Sequence, residues 1–300
     1  MVCPSQCVLN SVSESWEPLV AENGWLMVIT GYIDESYDGK DFPDDFTLGC
    51  IMCSADDWRE ISGRWRDLFK RVNDDLARQG RKQITRYKAA DCNGSHNEFE
   101  GWTGPEKLAL TLQMSEVFDH SELKLTQLAY SIRLSKIHQK IPSVQDPKAF
   151  AYAMLFQQII RGVLAMMDSL REESTISFIH DRSDFDLVYL RVFNVILLGC
   201  EEGQRKKLAT VAPMANENCP PLEVADLIAY ENYKLHLNRS RGKDRKRTID
   251  YLLEQGRLGG RSSIIPDEEF SIPEVHLKVL KWCSSFGGKC LRYPELDERP

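Results

Sequence analysis

The sequence predicts an α/β (α+β) domain built on a mixed β-sheet, and three observations carry that expectation. Residues 26–33 and 46–53 are short β-branched and aromatic runs joined by a turn-rich loop, the pattern of a hairpin. Beyond residue 54, helical and strand-like periodicities alternate along the chain. With 300 residues, 42% hydrophobic and 28% charged, the chain is long enough and ordinary enough in composition to bury a sizeable core.

Residues 1–24 lack hydrophobic periodicity and carry Ser, Glu and Pro, so they are expected to be a poorly ordered extension. The first strand runs from Leu26 through Ile33 and ends on Asp34-Glu35-Ser36. Strand alternation puts Asp34 and Ser36 on the face of Tyr32, and Glu35 on the face of Ile33. Gly39, Pro43 and four aspartates mark the loop into the second strand.

Over residues 55–79, Trp58, Ile61, Trp65, Leu68, Phe69, Val72 and Leu76 recur mostly three or four apart, which predicts an amphipathic helix. Residues 83–89 read as a short strand running into the turn chemistry of Asp91-Cys92-Asn93-Gly94. Thr103-Gly104-Pro105-Glu106 opens a helix to about residue 119, and residues 123–134 alternate as a strand. Asp146-Pro147 precedes an apolar helix over 148–170, a core helix in which Met154 and Met167 act as filler.

Residues 175–181 form a second apolar strand ending on an acid, and Ser183-Asp184-Phe185-Asp186 has the spacing of a capping box for a helix to Cys200. A short strand at 208–213 follows, and Pro220-Pro221 sets up a helix over 222–238. The organisation expected is an extension at 1–24, a domain at 25–240, and a basic segment with a C-terminal helical appendage at 241–300.

Composition narrows the function. No apolar run approaches the roughly 20 residues that cross a bilayer, and no basic segment precedes an apolar core at the N-terminus. The expectation is a cytoplasmic protein with no membrane partner. Nine cysteines, an odd number set mostly in apolar runs, suit reduced thiols. Cys50 and Cys53 have the spacing of a zinc or redox pair, but a three-residue offset in a strand turns them to opposite faces. The net charge of −7 argues against a chain coated in positive charge, though not against a local basic surface.

Four acids occur where a carboxylate has no cheap reason to be. Asp34 and Asp181 end apolar strands, Asp91 follows a short one, and Asp226 interrupts the apolar helix Leu222-Glu223-Val224-Ala225-Asp226-Leu227-Ile228. An unpaired buried carboxylate costs several kcal/mol, so a cation is expected beside it. Clustered carboxylates without Cys/His pairs suit Mg²⁺ or Mn²⁺ rather than Zn²⁺.

Taken in order, Tyr32-Ile33-Asp34-Glu35-Ser36, Ile179-His180-Asp181 and Glu223-Val224-Ala225-Asp226-Leu227-Ile228-Ala229-Tyr230 make the chain similar to the ribonuclease-H-like family catalogued as domain of unknown function 3800. The resemblance spans about residues 25–240. Two departures are Tyr37 for the usual Gly after the serine, and Glu223 for the usual Gln before Val-Ala-Asp.

The resemblance implies a ribonuclease-H-like mixed sheet flanked by helices, with Asp34, Asp181 and Asp226 as catalytic, metal-facing acids converging on a common ion. Asp91 resembles a further acidic position, and Glu35, Ser36 and Glu223 are possible additions. The implied activity is hydrolysis of nucleic-acid phosphodiesters by a metal-dependent nuclease, two divalent ions activating water and stabilising the leaving oxygen. Lys88 or His180 could contact the scissile phosphate, although His180 alternates away from Asp181.

Arg241, Lys243, Arg245, Lys246 and Arg247 form a basic run suited to phosphate contact, or to solvated surface. The expected partner is nucleic acid, with DNA or RNA and the oligomeric state left open. A second reading from another class also stands: a catalytically silent binding module of the same fold, its acids paired with arginines of the first long helix. Gly287-Gly288-Lys289 lacks the rest of a phosphate-binding loop, and no G-x-S-x-G elbow is present.

Overall fold

The structure is a computed structural model, and it describes residues 28–37, 45–118, 125–170, 173–215, 219–243 and 259–264, with positions 278, 280 and 281. The expected extension at 1–24, together with Arg245, Lys246 and Arg247, lies outside the described residues.

Strands β1 (Val28–Tyr37) and β2 (Asp45–Ser54) form the expected antiparallel hairpin. Ser54 ends β2 and caps α1 (Ala55–Arg78), its hydroxyl accepting the Asp57 N–H at 3.1 Å. The short helix α2 (Ala89–Gly94) and α3 (Gly104–Glu116) follow, and Thr103 and Glu106 close a full capping box on α3. Next come β3 (Thr126–Arg133), α4 (Leu134–Lys140) and α5 (Pro147–Ser169). After them run β4 (Thr175–Asp181), α6 (Asp186–Gly199), α7 (Glu202–Lys207), β5 (Leu208–Met214), α8 (Pro220–Ser240) and β6 (Gly259–Ile264).

Among the described residues the sheet has six strands in the order β5-β4-β1-β2-β3-β6. The β1–β2 and β2–β3 pairs are antiparallel, whereas β1–β4, β4–β5 and β3–β6 are parallel. This is a mixed sheet with helices on both faces, as the alternation of patterns predicts.

Each face has its own core. On one, α5 and α6 cover Ile29, Ile33, Phe46, Cys50, Ile176 and Phe178. On the other, α1, α2, α3 and α8 cover Ile51 and Cys53. Trp58 of α1 packs edge-on against Tyr32 and donates its indole N–H to the Thr30 carbonyl at 2.8 Å. Helix α5 is, among the described residues, the one helix long and apolar enough to cross a bilayer, which corrects the expectation that no such segment exists. Its apolar residues are buried in the first core.

Three expectations are corrected by where backbone hydrogen bonds go. Residues 83–89 form no strand. The Ile84 N–H and carbonyl are both bonded by the Asn73 side chain at 2.8 Å, Thr85 N–H donates to Glu98, and Ala89 N–H donates to Asp226. Side chains take the bonds that a ladder would have used. At α6 only half a capping box forms: Asp186 accepts the Ser183 N–H at 2.9 Å, while the Ser183 hydroxyl accepts the N–H of Phe185. The C-terminal region is not only a helical appendage, because β6 extends the sheet beside β3 and Leu280 is buried in the first core.

Candidate acidic site at the strand ends

Strands β1 and β4 run parallel and in register to Ile33 opposite His180, so Asp34 and Asp181 follow side by side where that pairing ends, Asp181 closing β4 and Asp34 three residues before the end of β1. Both share the face of Tyr32 and Ile179, as alternation requires. In open α/β sheets this end of parallel strands is where ligand crevices form.

Asp226 reaches the same face from α8. That helix is buried on almost every side from Pro220 to His236, and it approaches the sheet closely at Gly49. Gly49 is the ladder partner of Asp34, and a Cβ placed there would stand 3.0 Å from the Ala229 Cα. Asp226 lies one turn before Ala229, so the contact that seats the helix also sets its acid near Asp34.

Asp34 is only 7% exposed, and its carboxylate accepts the N–H of Glu35 at 2.7 Å. Burial raises its pKa well above the usual carboxylate range, and the charges of Glu35, Asp226 and Asp181 push it further; the Glu35 N–H works against them. Asp226, equally buried, accepts the Ala89 N–H at 2.5 Å. Burial lifts it to about 7, opposed by that bond and by Lys88, and assisted by Glu35 and Asp91. Neither Asp34 nor Asp226 makes an ion pair among the described residues.

The other expected residues divide. Asp91 sits in the first turn of α2 and accepts the Asn97 side-chain amide at 2.8 Å, with Asn97 held at φ 55°. Lys88 is exposed at the start of α2. Ser36 is buried opposite Thr47, and Glu35 lies half-buried on the α5 face.

Glu223 is engaged by Trp65, whose indole N–H donates to it at 2.7 Å, and burial raises its pKa against that bond. His180 is on the opposite face from Asp181. Its ring stacks on Tyr189 with centroids 4.0 Å apart, its Nδ1 is 3.0 Å from the Asp181 carbonyl oxygen, and burial lowers its pKa. It is a packed histidine. Arg241 and Lys243 are exposed just beyond α8, and Arg241 lies about 22 Å along the helix from Asp226 at 1.5 Å per residue.

Sequence reasoning missed two supports of the site. One is the Ala89 N–H that fixes Asp226. The other is Tyr87, buried edge-on to Trp65 and Phe99 between the exposed Arg86 and Lys88. A buried tyrosine between two cations is a legible sign of a segment pinned to the body by its middle residue.

The three acids share a face and an electrostatic field, but as positioned they are not a closed cage. Among the described residues no group of three or more His, Cys, Asp or Glu side chains is arranged to hold an ion. Like charges resist close approach. The donor chemistry nonetheless fits a hard divalent cation: all the ligand atoms are carboxylate oxygens, and the buried Asp34 has no cation beside it among the described residues.

No protein-family model matches this chain, and no curated protein or solved structure is significantly similar to it.

Proposed function

We propose that this chain is a divalent-metal-dependent nuclease or phosphodiesterase of the ribonuclease-H-like kind, related to the family that its motifs resemble. The observation that carries the reading is Asp34, a buried carboxylate in the field of Asp181 and Asp226, just beyond the last paired residues of two parallel strands. Stability alone gives no reason to gather such charges.

Asp34, Asp181 and Asp226 would hold Mg²⁺ or Mn²⁺, which when bound supplies an activated water and charge for a leaving phosphate oxygen. The chain's own residues do the rest. Ala89 N–H orients Asp226, and the burial of Asp34 strengthens its field. Exposed Lys88 beside Asp226 offers a positive charge to a phosphate.

The silent-module reading needs arginines of α1 against these acids. Instead Arg59, Arg64 and Arg78 pair with Asp56, Glu60 and Asp75 of their own helix.

The test is cleavage of labelled single- and double-stranded DNA and RNA in Mg²⁺, Mn²⁺ or chelator, with Asp34→Asn alongside. We expect metal-dependent product that the variant does not form, and an upward shift in Tm with Mn²⁺ that the variant lacks. No cleavage of any substrate together with no Tm response to metal would sink the proposal.

A further inference from the structure

We propose that Arg66, Arg86 and Lys88 form a rim that holds the backbone phosphates of a nucleic-acid strand beside the acidic site. The inference rests on the nuclease reading and adds to it the residues that bind the substrate.

Two hydrogen bonds place the rim. Trp65 of α1 donates to Glu223 at 2.7 Å, and Ala89 donates to Asp226 at 2.5 Å. Glu223 and Asp226 are one helical turn apart on α8, so α1 and the segment leading into α2 are pinned at the same turn. Arg66 directly follows Trp65, Lys88 directly precedes Ala89, and Arg86 is two residues earlier beyond the buried Tyr87. All three cations are exposed, yet each is tethered to a backbone position fixed by a buried contact.

The lack of an ion pair among the described residues separates them from other cations nearby. Among the described residues none of the three makes an ion pair, whereas three further arginines of α1 pair within that helix and Arg81 pairs with Glu106. Their charges are felt at the start of α8: Lys88 acts on Asp226, Arg86 on Glu223 and Arg66 on Cys219. A group of carboxylates alone repels a phosphodiester chain. Flanking exposed cations not tied up in ion pairs among the described residues reverse that field along one side and give the strand a path to the acids.

DNA and RNA share the phosphate chemistry, and the experiment separates them. A labelled single-stranded DNA and an RNA of the same sequence are titrated in chelator over a salt series, with the wild-type chain and with Arg66→Gln/Arg86→Gln/Lys88→Gln. Cleavage is followed in parallel with metal. Each phosphate contact on a single strand contributes about 0.7 to the log-log salt slope, so the triple variant is expected to lose roughly 2 units. It is also expected to raise KM more than it lowers kcat, while its melting curve stays that of a folded protein.

A wild type that binds and cleaves, beside a triple variant with unchanged slope and KM, overturns the rim and leaves the nuclease reading standing. A wild type that binds without cleaving and without a Tm response to metal removes the nuclease reading, and the rim then stands or falls on the slope alone. A wild type that neither binds nor cleaves removes both.

Discussion

Gly49 and Ala229 are in close contact, and that contact sets the distance between the sheet and the helix that carries Asp226. A Cβ on Gly49 would meet the Ala229 Cα at 3.0 Å, its N at 3.1 Å and its Cβ at 3.1 Å. Two of these atoms are backbone, so α8 itself has to move to make room.

Gly49→Ala is therefore expected to destabilise the protein by about 1–3 kcal/mol, the usual cost of overpacking. It should also weaken any Mn²⁺-dependent rise in Tm, because Asp226 shifts relative to Asp34. Urea denaturation and metal-titrated melting measure the two effects. Wild-type stability in the variant would mean that α8 yields freely at this point.

Asp226 makes stability depend on pH in an unusual direction. Its pKa is about 7 in the folded chain and near the ordinary carboxylate value when unfolded, so between roughly pH 4 and 7 the folded state binds the extra proton. Stability from this group is fully present below that window and declines as pH rises through it. Asp34, raised in the same sense, adds to the decline. In chelator, Asp226→Asn should flatten the curve by at most about 4 kcal/mol across the window, since Asn still accepts the Ala89 N–H. Parallel stability curves for variant and wild type would show that Asp226 is not protonated on folding.

Glu223 and Trp65 give an opposed pair of outcomes. Trp65→Phe leaves a buried carboxyl without its indole donor and should cost about 1–3 kcal/mol. Glu223→Gln keeps an acceptor for that donor and removes a charge that burial disfavours, so it should be neutral or stabilising. Thermal melts of both variants decide it. A Glu223→Gln variant as unstable as Trp65→Phe would mean that the charge itself is needed.

The basic run offers an independent check on nucleic-acid contact. Replacing Arg241, Lys243, Arg245, Lys246 and Arg247 with Gln should lower the salt slope of binding without altering metal-dependent melting, because Arg241 lies about 22 Å from Asp226. An unchanged slope would assign the run to ordinary solvated surface.

Much of the frame was legible because its signals are local. The hairpin, the apolar core helix α5, and Asp181 at the end of β4 follow from alternation and from the cost of placing carboxylates in apolar runs, whereas β1 runs three residues past Asp34, to Tyr37, because the polar residues Glu35 and Ser36 still pair with β2. What escaped depends on partners far away in sequence. Residues 83–89 look like a strand, but Asn73, Glu98 and Asp226 take their backbone groups. Gly259-Gly260-Arg261-Ser262-Ser263-Ile264 falls in the region expected to be a helical appendage, yet it pairs along β3. Glu223, open in the sequence between joining the acids and lying solvated, is buried and accepts the indole N–H of Trp65 from another helix. The close seating of α8 did leave a trace, a glycine in the middle of β2 opposite a helix with alanines at 225 and 229.

The register of Ile33 with His180 has a kinetic consequence. The hairpin β1–β2 closes locally, but β4 joins it only after β3 and α5 have been made, and α8 arrives later still. Loop closure over such separations is slow, and contacts between distant parts of the chain are what delay folding. By chain order Asp226 is the last of the three acids to be made, and it joins the other two only when α8 packs on the strands that pair Asp34 with Asp181. Partly formed chains lacking α8 would carry Asp34 and Asp181 without Asp226, and so only part of the acidic site.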